Sequence, residues 1–466
     1  MGPVGAFCSQ AEYLCNYHRT GCPGETGAHG PGSDVRRRLR KLASPPHVRV
    51  LRFAVGHVAA HARAHIRAGQ NIRRVTVLGK RGPGGRLING SDQHVSGKPR
   101  LLHLVHTPRH SGAETLVREL CIIHQARGID TAITSFSPSD PDFLLSIAHL
   151  QTAGVQLFLP ERTLAGVDRI RAFRRVYRDF RPQLVYGHSV LPSLYGRLAL
   201  PLFGNQPRFV SVLHSATNDD YEEANLWGAE LLLARRNHRV FAVSEEGASN
   251  YRKRIPYAPQ VDVVPNGTNI GGIREAAARR DVIRGAFNLQ PHTRIILQVG
   301  RISSTKQQLH ALEALTPLLK ERNQIKLWFA GLVQDEFYAQ AIRAKIAESD
   351  LAEQVAMLGS REDIPDLLSA ADLYIMPSLM EAHSVAMIEA LASGIAVAAS
   401  DIPTLRFSST YKGVILHPAA DKHAMAKAAE ALLVNQKRFA RNLAEFDISV
   451  TADKYASGLS KIAARS

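Results

Sequence analysis

The sequence predicts an α/β protein: two doubly wound parallel sheets in succession, facing a cleft, with a closing C-terminal helix. Three observations carry this. From Arg100 onward, short apolar runs of strand length alternate with longer helical patterns, the alternation that builds parallel sheets with helices on both faces. The alternation occurs in two series of similar size, separated by a charged join with paired glycines. Before Arg100 it is absent: residues 1–97 are rich in Gly, Pro, Arg, His and Ala and show little sustained periodicity.

The first series of strands reads Leu101–His106, Thr131–Ser135, Val155–Leu159, Leu184–Gly187, Phe209–His214, Val240–Ser244 and Val261–Val264. Candidate helices lie between them, among them Ala113–Ala126 and Val167–Phe180. Pro265-Asn266-Gly267 is a turn signal, and the join follows at about 268–290 with Gly271-Gly272. The second series reads Ile295–Val299, Lys326–Ala330, Val355–Leu358, Leu373–Met376, Ala396–Ala399 and Val414–Leu416. A last helix, about Val450–Ala464, carries Ala452, Tyr455 and Leu459 at helical spacing. The expected organisation is therefore an extension (1–97), a first Rossmann-like domain (98–280), a second (281–435), and C-terminal helices (436–466) that return to the first domain.

Charge is unevenly placed. Residues 1–100 hold 17 Lys/Arg against 4 Asp/Glu, which accounts for 13 of the net +17. A basic balance points to nucleic acid or anionic membrane, but here it sits in the aperiodic segment, so no nucleic acid is expected at the main body. A peripheral contact with an anionic membrane fits. Cys8, Cys15 and Cys22 fall at spacings that match no common zinc or redox motif, and the body has only Cys121. A reducing, cytoplasmic setting follows. No apolar run approaches the ~20 residues of a membrane span. Gly79-Lys-Arg-Gly-Pro-Gly-Gly85 lacks the Gly-Lys-Ser/Thr ending of a phosphate loop and reads as coil. Residues 1–97 as a whole read as a disordered tail or a wrongly assigned start.

Pro377 to Gly394 is the richest stretch. Glu381 falls where the strand Leu373–Met376 gives way to a loop, and Glu389 lies eight residues on, in the following helix. Gly394 stands where a left-handed helix cap forms most easily. In open parallel sheets ligands bind outside the carboxyl ends of the strands. The backbone N–H groups near His383 and Ser384 open a helix and suit an anion. Two acceptors beside an anion cradle fit a ligand bearing both hydroxyls and phosphates.

Several motifs then agree in order and separation: Ser111-Gly112-Ala113-Glu114 after the first strand, Val212-Leu213-His214, Val243-Ser244-Glu245, and Val264-Pro265-Asn266-Gly267. Val299-Gly300-Arg301 with Lys306, Ala330-Gly331 with Leu358-Gly359, and Glu381 with Glu389 continue the series. On these, residues 100–464 resemble the retaining glycosyltransferases of family 4, with the two-domain GT-B architecture. The resemblance implies an enzyme moving a sugar from a nucleotide diphosphate sugar to a glycan or lipid-linked acceptor, in surface polysaccharide or glycolipid synthesis. It implies that Arg301 and Lys306 meet the diphosphate, that Glu389 binds ribose, and that Glu381 binds the donor sugar. Backbone N–H groups of His383, Ser384 and Val385 would join the phosphate site, and Gly112 would let backbone approach from the opposite domain.

His214 has two readings: a hydrogen-bonded core residue ending a buried strand, or, by the family match, a contact to the reacting sugar. His188 is equally open between packing and acceptor contact. Ser384 stands where the family usually has glycine, and Ile395 where proline is frequent, which leaves donor identity open. Asp140-Pro-Asp142 reads as a solvated turn. Because Arg301 and Lys306 can neutralise the phosphates, no metal or other cofactor is expected. The alternatives are a sugar-nucleotide epimerase of the same shape, or a catalytically silent scaffold.

The compositional break near Arg100 generates a prediction. Residues 95–466 expressed alone should melt and turn over as the full chain does; an insoluble or inactive product would contradict it.

Overall fold

The computed structural model describes residues 98–201, 206–217, 221–222, 225–434 and 437–463. The 1–97 extension, with its three cysteines and Gly79–Gly85 coil, lies outside them. The described chain forms two parallel sheets. The first contains β1 (Arg100–Val105), β2 (Asp130–Ser135), β3 (Gln156–Phe158), β4 (Leu184–His188), β5 (Arg208–Leu213), β6 (Arg239–Ala242) and β7 (Val261–Val263), in the order β3-β2-β1-β4-β5-β6-β7. The second contains β8 (Arg294–Val299), β9 (Ile325–Ala330), β10 (Val355–Gly359), β11 (Leu373–Met376), β12 (Ala396–Ser400) and β13 (Val414–His417), in the order β10-β9-β8-β11-β12-β13. Both orders reverse direction beside the first strand of the sheet, the crevice where ligands bind in such folds.

Helices cover both faces of each sheet, so strand residues on both faces are buried. Leu101, Tyr186, Val210 and Val212 pack on the last helix, Ile448–Ala463, through Ala452, Tyr455 and Leu459. Leu102, Leu104, Val185 and Phe209 pack on the opposite face against Phe173, Val176 and Phe180 of the helix Val167–Phe180. The second sheet is sandwiched likewise, with Ile295, Leu297 and Tyr374 facing one core and Ile296, Leu327 and Phe329 the other.

Several strands stop short of the apolar run that predicts them. Val240–Ser244 ends as a strand at Ala242 because Ser244 caps the helix Glu245–Arg254, its hydroxyl accepting from the Gly247 N–H at 3.2 Å. Glu245 and Glu246 in the first turn and Arg252, Lys253 and Arg254 in the last complement the helix dipole. The join is not coil. It folds into the helices Ile270–Ala278 and Arg280–Ala286, whose Ile270, Ile273, Ala276 and Ile283 belong to the second core.

The chain therefore leaves the first sheet at Val264, crosses near Thr268, and returns between Phe446 and Ile448. The two crossings pair with each other: Thr268 N–H donates to Phe446 O and Ile448 N–H to Thr268 O, both at 3.0 Å. Gly267 makes this approach feasible, since a Cβ there would lie 2.5 Å from Thr451 Oγ1 and 2.9 Å from Ile448 Cα. Gly267→Ala should force the crossings apart and cost about 1–3 kcal/mol of stability. A melting temperature equal to wild type would show that the crossings have room to give.

Candidate active site

The carboxyl ends of both sheets meet at one cleft, and each candidate residue is held there by local geometry. β8 ends at Val299, and Gly300-Arg301 follows. A Cβ on Gly331 would lie 1.9 Å from Gly300 O, so only glycine at the end of β9 lets the Arg301 segment pass. Lys306 ends a short 3₁₀ turn, Ser304–Lys306, which is pinned by Gln298 Nε2 donating to Lys306 O at 2.6 Å. Leu379 N–H donates to Thr305 O at 2.9 Å and ties this turn to the loop after β11.

Lys306 and Glu381, 75 residues apart in sequence, are joined directly: Nζ donates to Oε1 at 2.6 Å, with the glutamate side chain 8% exposed. Each charge is thereby compensated in a site largely withdrawn from water. Arg301 is close enough to the first domain that its charge is felt by the buried Glu114 carboxyl, whose hydroxyl partner is Ser111. Burial dominates at Glu114 and raises its pKa.

Ser384 begins the helix Val385–Ala392 as its cap, accepting from the Met387 N–H at 3.3 Å. The first-turn N–H groups of Val385 and Ala386 have no preceding helical carbonyl to bond. Gly112, at the start of the helix Gly112–Ala126, lies across the cleft from Val385: a Cβ on Gly112 would sit 3.7 Å from Val385 Cγ2. That is ordinary contact, so neighbouring protein does not force glycine here; what it leaves open is cleft volume. His383 packs its ring on Phe407, at 5.8 Å between centroids, and on Phe446 at 5.6 Å. Burial lowers its pKa to about 4, which keeps it neutral, and its Nδ1 is buried without a partner. Its backbone is held too, with Asn266 Nδ2 donating to His383 O at 2.8 Å.

Glu389 receives a hydrogen bond from Thr268 Oγ1 at 3.3 Å. Burial pushes its carboxyl up to about 7, against the opposing pull of Thr268 and of the Arg118 charge. Thr268 and Asn266 are thus supporting residues; the turn signal Pro265-Asn266-Gly267 marks Asn266 without revealing its function and stops one residue short of Thr268. His214 follows β5, and its Nε2 pairs with His188 Nδ1 at 3.0 Å; burial lowers its pKa to about 4.

Across the rim, His110 Nε2 approaches Glu362 Oε1 at 3.0 Å and Ser146 Oγ donates to the same oxygen at 3.0 Å. Burial opposes charge on His110, but the hydrogen bond and charge of Glu362 raise its pKa overall. The solvated-turn reading of Asp140–Asp142 needs correction: both Asp142 carboxylate oxygens are buried without a partner, beneath His110, which bonds Asp142 O at 2.9 Å. Among the described residues, no group of three or more His, Cys, Asp or Glu side chains is arranged to hold a metal ion.

Comparison with known proteins agrees with this architecture. A model of glycosyl transferases group 1 matches residues 279–446, and one of glycosyltransferase family 4 matches residues 110–271. The chain belongs to the GT-B glycosyltransferases of the family 4 type. Among its relatives is the Escherichia coli UDP-Gal:alpha-D-GlcNAc-diphosphoundecaprenol alpha-1,3-galactosyltransferase, 25% identical over 251 residues, 52% of this chain and 64% of that protein. The Xanthomonas campestris GDP-mannose:cellobiosyl-diphosphopolyprenol alpha-mannosyltransferase is 28% identical over 368 residues, 76% of this chain and 90% of that one. The crystal structure of Anabaena HepE in complex with UDP and glucose superposes with a TM-score of 0.63 at 18% identity, covering 77% of this chain and 99% of HepE. At that identity the likeness speaks for the fold.

Proposed function

We propose that this chain transfers a sugar from a nucleoside diphosphate sugar to a hydroxyl of a lipid-linked acceptor, with retention at the anomeric carbon, in glycolipid or surface polysaccharide synthesis. The observation that carries the reading is the Lys306–Glu381 pair at 2.6 Å. It lies on the cleft wall that also carries Arg301 and the opening of the helix Val385–Ala392, with Gly112 opposite Val385. An incoming diphosphate would take Lys306 as its own counter-charge and release Glu381 to accept hydrogen bonds from the donor sugar. Arg301, Lys306 and the N–H groups of Val385 and Ala386 would then stabilise the negative charge that grows on the leaving phosphate. This cationic set removes the need for a divalent metal in the reading.

In the reaction, the bond from the anomeric carbon to the β-phosphate oxygen breaks and its electron pair stays with the phosphate. The acceptor hydroxyl forms the new bond on the same face, and its proton passes to the departing phosphate oxygen. Glu381, once released from Lys306, is taken up by the hydroxyls of the donor sugar, and Glu389 by the ribose, so neither carboxylate is assigned as a nucleophile. The names of the E. coli and Xanthomonas relatives, each a nucleotide sugar acting on a lipid diphosphate, support the substrate classes. A lipid-linked acceptor would bring the enzyme to a membrane face, although no helix among the described residues is long and apolar enough to cross one.

A panel of nucleotide sugars, read as released nucleoside diphosphate with an acceptor present, tests the activity. At least one donor should be consumed, and Arg301→Ala should lose about 3–4 kcal/mol of transition-state stabilisation without losing the fold. Release equal in wild type and variant would remove Arg301 from the phosphate site.

The ribose assignment of Glu389 has a pH signature. A carboxylate accepts from two ribose hydroxyls, and with charge assistance, whereas the neutral carboxyl keeps only its carbonyl oxygen as a good acceptor, so the ionised form binds the ribose more tightly. With its pKa raised to about 7, Glu389 loses its proton as pH rises through neutrality, and donor KM should fall between about pH 6 and pH 8. Glu389→Gln should raise KM and flatten that dependence, leaving kcat little changed. A variant that keeps the wild-type pH profile would contradict the assignment.

A further inference from the structure

Three histidines form a continuous chain beneath the cleft. His103 lies in β1, His188 ends β4, and His214 follows β5. These strands are adjacent and parallel, and the register aligns His103 with Tyr186 and His188 with Val212. Each step therefore moves one strand across and two residues along, which keeps all three side chains on one face of the sheet. His103 Nδ1 lies 2.9 Å from His188 Nε2, and His188 Nδ1 lies 3.0 Å from His214 Nε2. The rings stack at 5.1 and 5.3 Å between centroids. Tyr455 of the C-terminal helix covers the chain, with its ring nearly parallel to that of His188 at 6.4 Å. His103 and His188 are 0% and 2% exposed.

In this dry setting the first two imidazoles are neutral: burial disfavours charge on both, reinforced at His103 by His124 and at His188 by His103 and His214. A neutral imidazole has one N–H, so fixing one tautomer fixes all three. In one arrangement every proton sits on Nε2, and His103 Nε2–H becomes a buried donor with no acceptor. In the other every proton sits on Nδ1, and the same atom is a bare lone pair. His103 Nε2 has no partner among the described residues, and the neighbouring buried Tyr455 hydroxyl also lacks one. Buried donors without acceptors are rarer in proteins than under-satisfied acceptors, which selects the second arrangement. With the Tyr455 hydroxyl already a buried donor without a partner, the second arrangement adds no further orphan donor, whereas the first adds one.

We propose that His103 and His188 are positioning residues that hold His214 in its Nδ1–H form, so that it presents a hydrogen-bond donor to an oxygen of the donor sugar at the cleft. This rests on the glycosyltransferase reading above for the identity of the ligand, but not for the tautomer. The chain works as a fixed dipole wire: β1 and β4 supply the order, and the C-terminal helix excludes the water that would scramble it. His214 then needs no charge to act, consistent with its depressed pKa of about 4.

The test is a long-range proton–nitrogen correlation spectrum of the full chain labelled with [¹⁵N]histidine, with His214 assigned by the signals lost in His214→Ala. His214 should show the Nδ1–H pattern. His188→Asn, whose amide can still donate toward His214 Nε2, should keep that pattern and most of kcat. His188→Leu should move His214 toward the Nε2–H form favoured by a free imidazole, and lower kcat about tenfold or more with donor KM nearly unchanged. Should the leucine variant fail to fold, His103→Leu cuts the chain one step earlier and should release His214 in the same way. An Nε2–H pattern in the wild type, or a leucine variant with unchanged tautomer and kcat, would overturn the proposal. If the spectra agree and no nucleotide sugar is turned over, the tautomer assignment stands and the proposed function fails.

Discussion

The double crossing near Thr268 and Asp447 is the constraint on which the site depends. Two segments far apart in the sequence, one mid-chain and one near the C-terminus, pass between the sheets side by side, bonded to each other through Thr268, Phe446 and Ile448. From that narrow joint, Asn266 holds the backbone of His383 and Thr268 holds the carboxyl of Glu389. The residues assigned to the donor are therefore fastened to the same short segment that links the domains. A change in the angle between the sheets would act directly on the loop after β11. The contacts of His110 and Ser146 with Glu362 fasten the opposite rim of the cleft.

Buried charge is used in two different ways. Arg197 and Glu230 are both 0% exposed and bonded through both guanidinium ends, and Tyr221 and Tyr251 donate to the same carboxylate. Every oxygen is satisfied, which is what makes a buried pair tolerable; it locks the helix Val190–Ala199 to the helix Trp227–Leu233. Lys306 and Glu381 are bonded through a single contact at the cleft wall, which leaves capacity on both groups for a ligand. One arrangement is closed and structural, and the other leaves room for the exchange of partners that the proposed function requires.

Much of the fold was legible because parallel strands buried on both faces read as short apolar runs, and all thirteen fall within two residues of the observed elements. The misses have local causes. Ser244 reads as strand but serves as a helix cap, and the glycine-bearing join reads as a linker because Ile270, Ile273 and Ala276 are spaced too sparsely to announce a core. At the site, Glu381, Glu389, Arg301 and Lys306 could be singled out from motif order, and the structure gathers them at one cleft. The Lys306–Glu381 bond could not be read, since it joins loops 75 residues apart. His103 was invisible for a related reason: inside an apolar strand, a histidine shows no sign of meeting another 85 residues away.

In the proposed function one cleft holds a nucleoside diphosphate with its phosphates at Arg301 and Lys306 and its ribose at Glu389. The most direct measurement is a crystal structure of the full chain with the nucleoside diphosphate of whichever donor it consumes. Phosphate oxygens should lie on both cations and on the N–H groups of Val385 and Ala386, with Glu381 released from Lys306 and ribose hydroxyls on the Glu389 carboxylate. A nucleotide bound elsewhere, or bound here with Lys306 and Glu381 still paired and Glu389 out of reach, would contradict it.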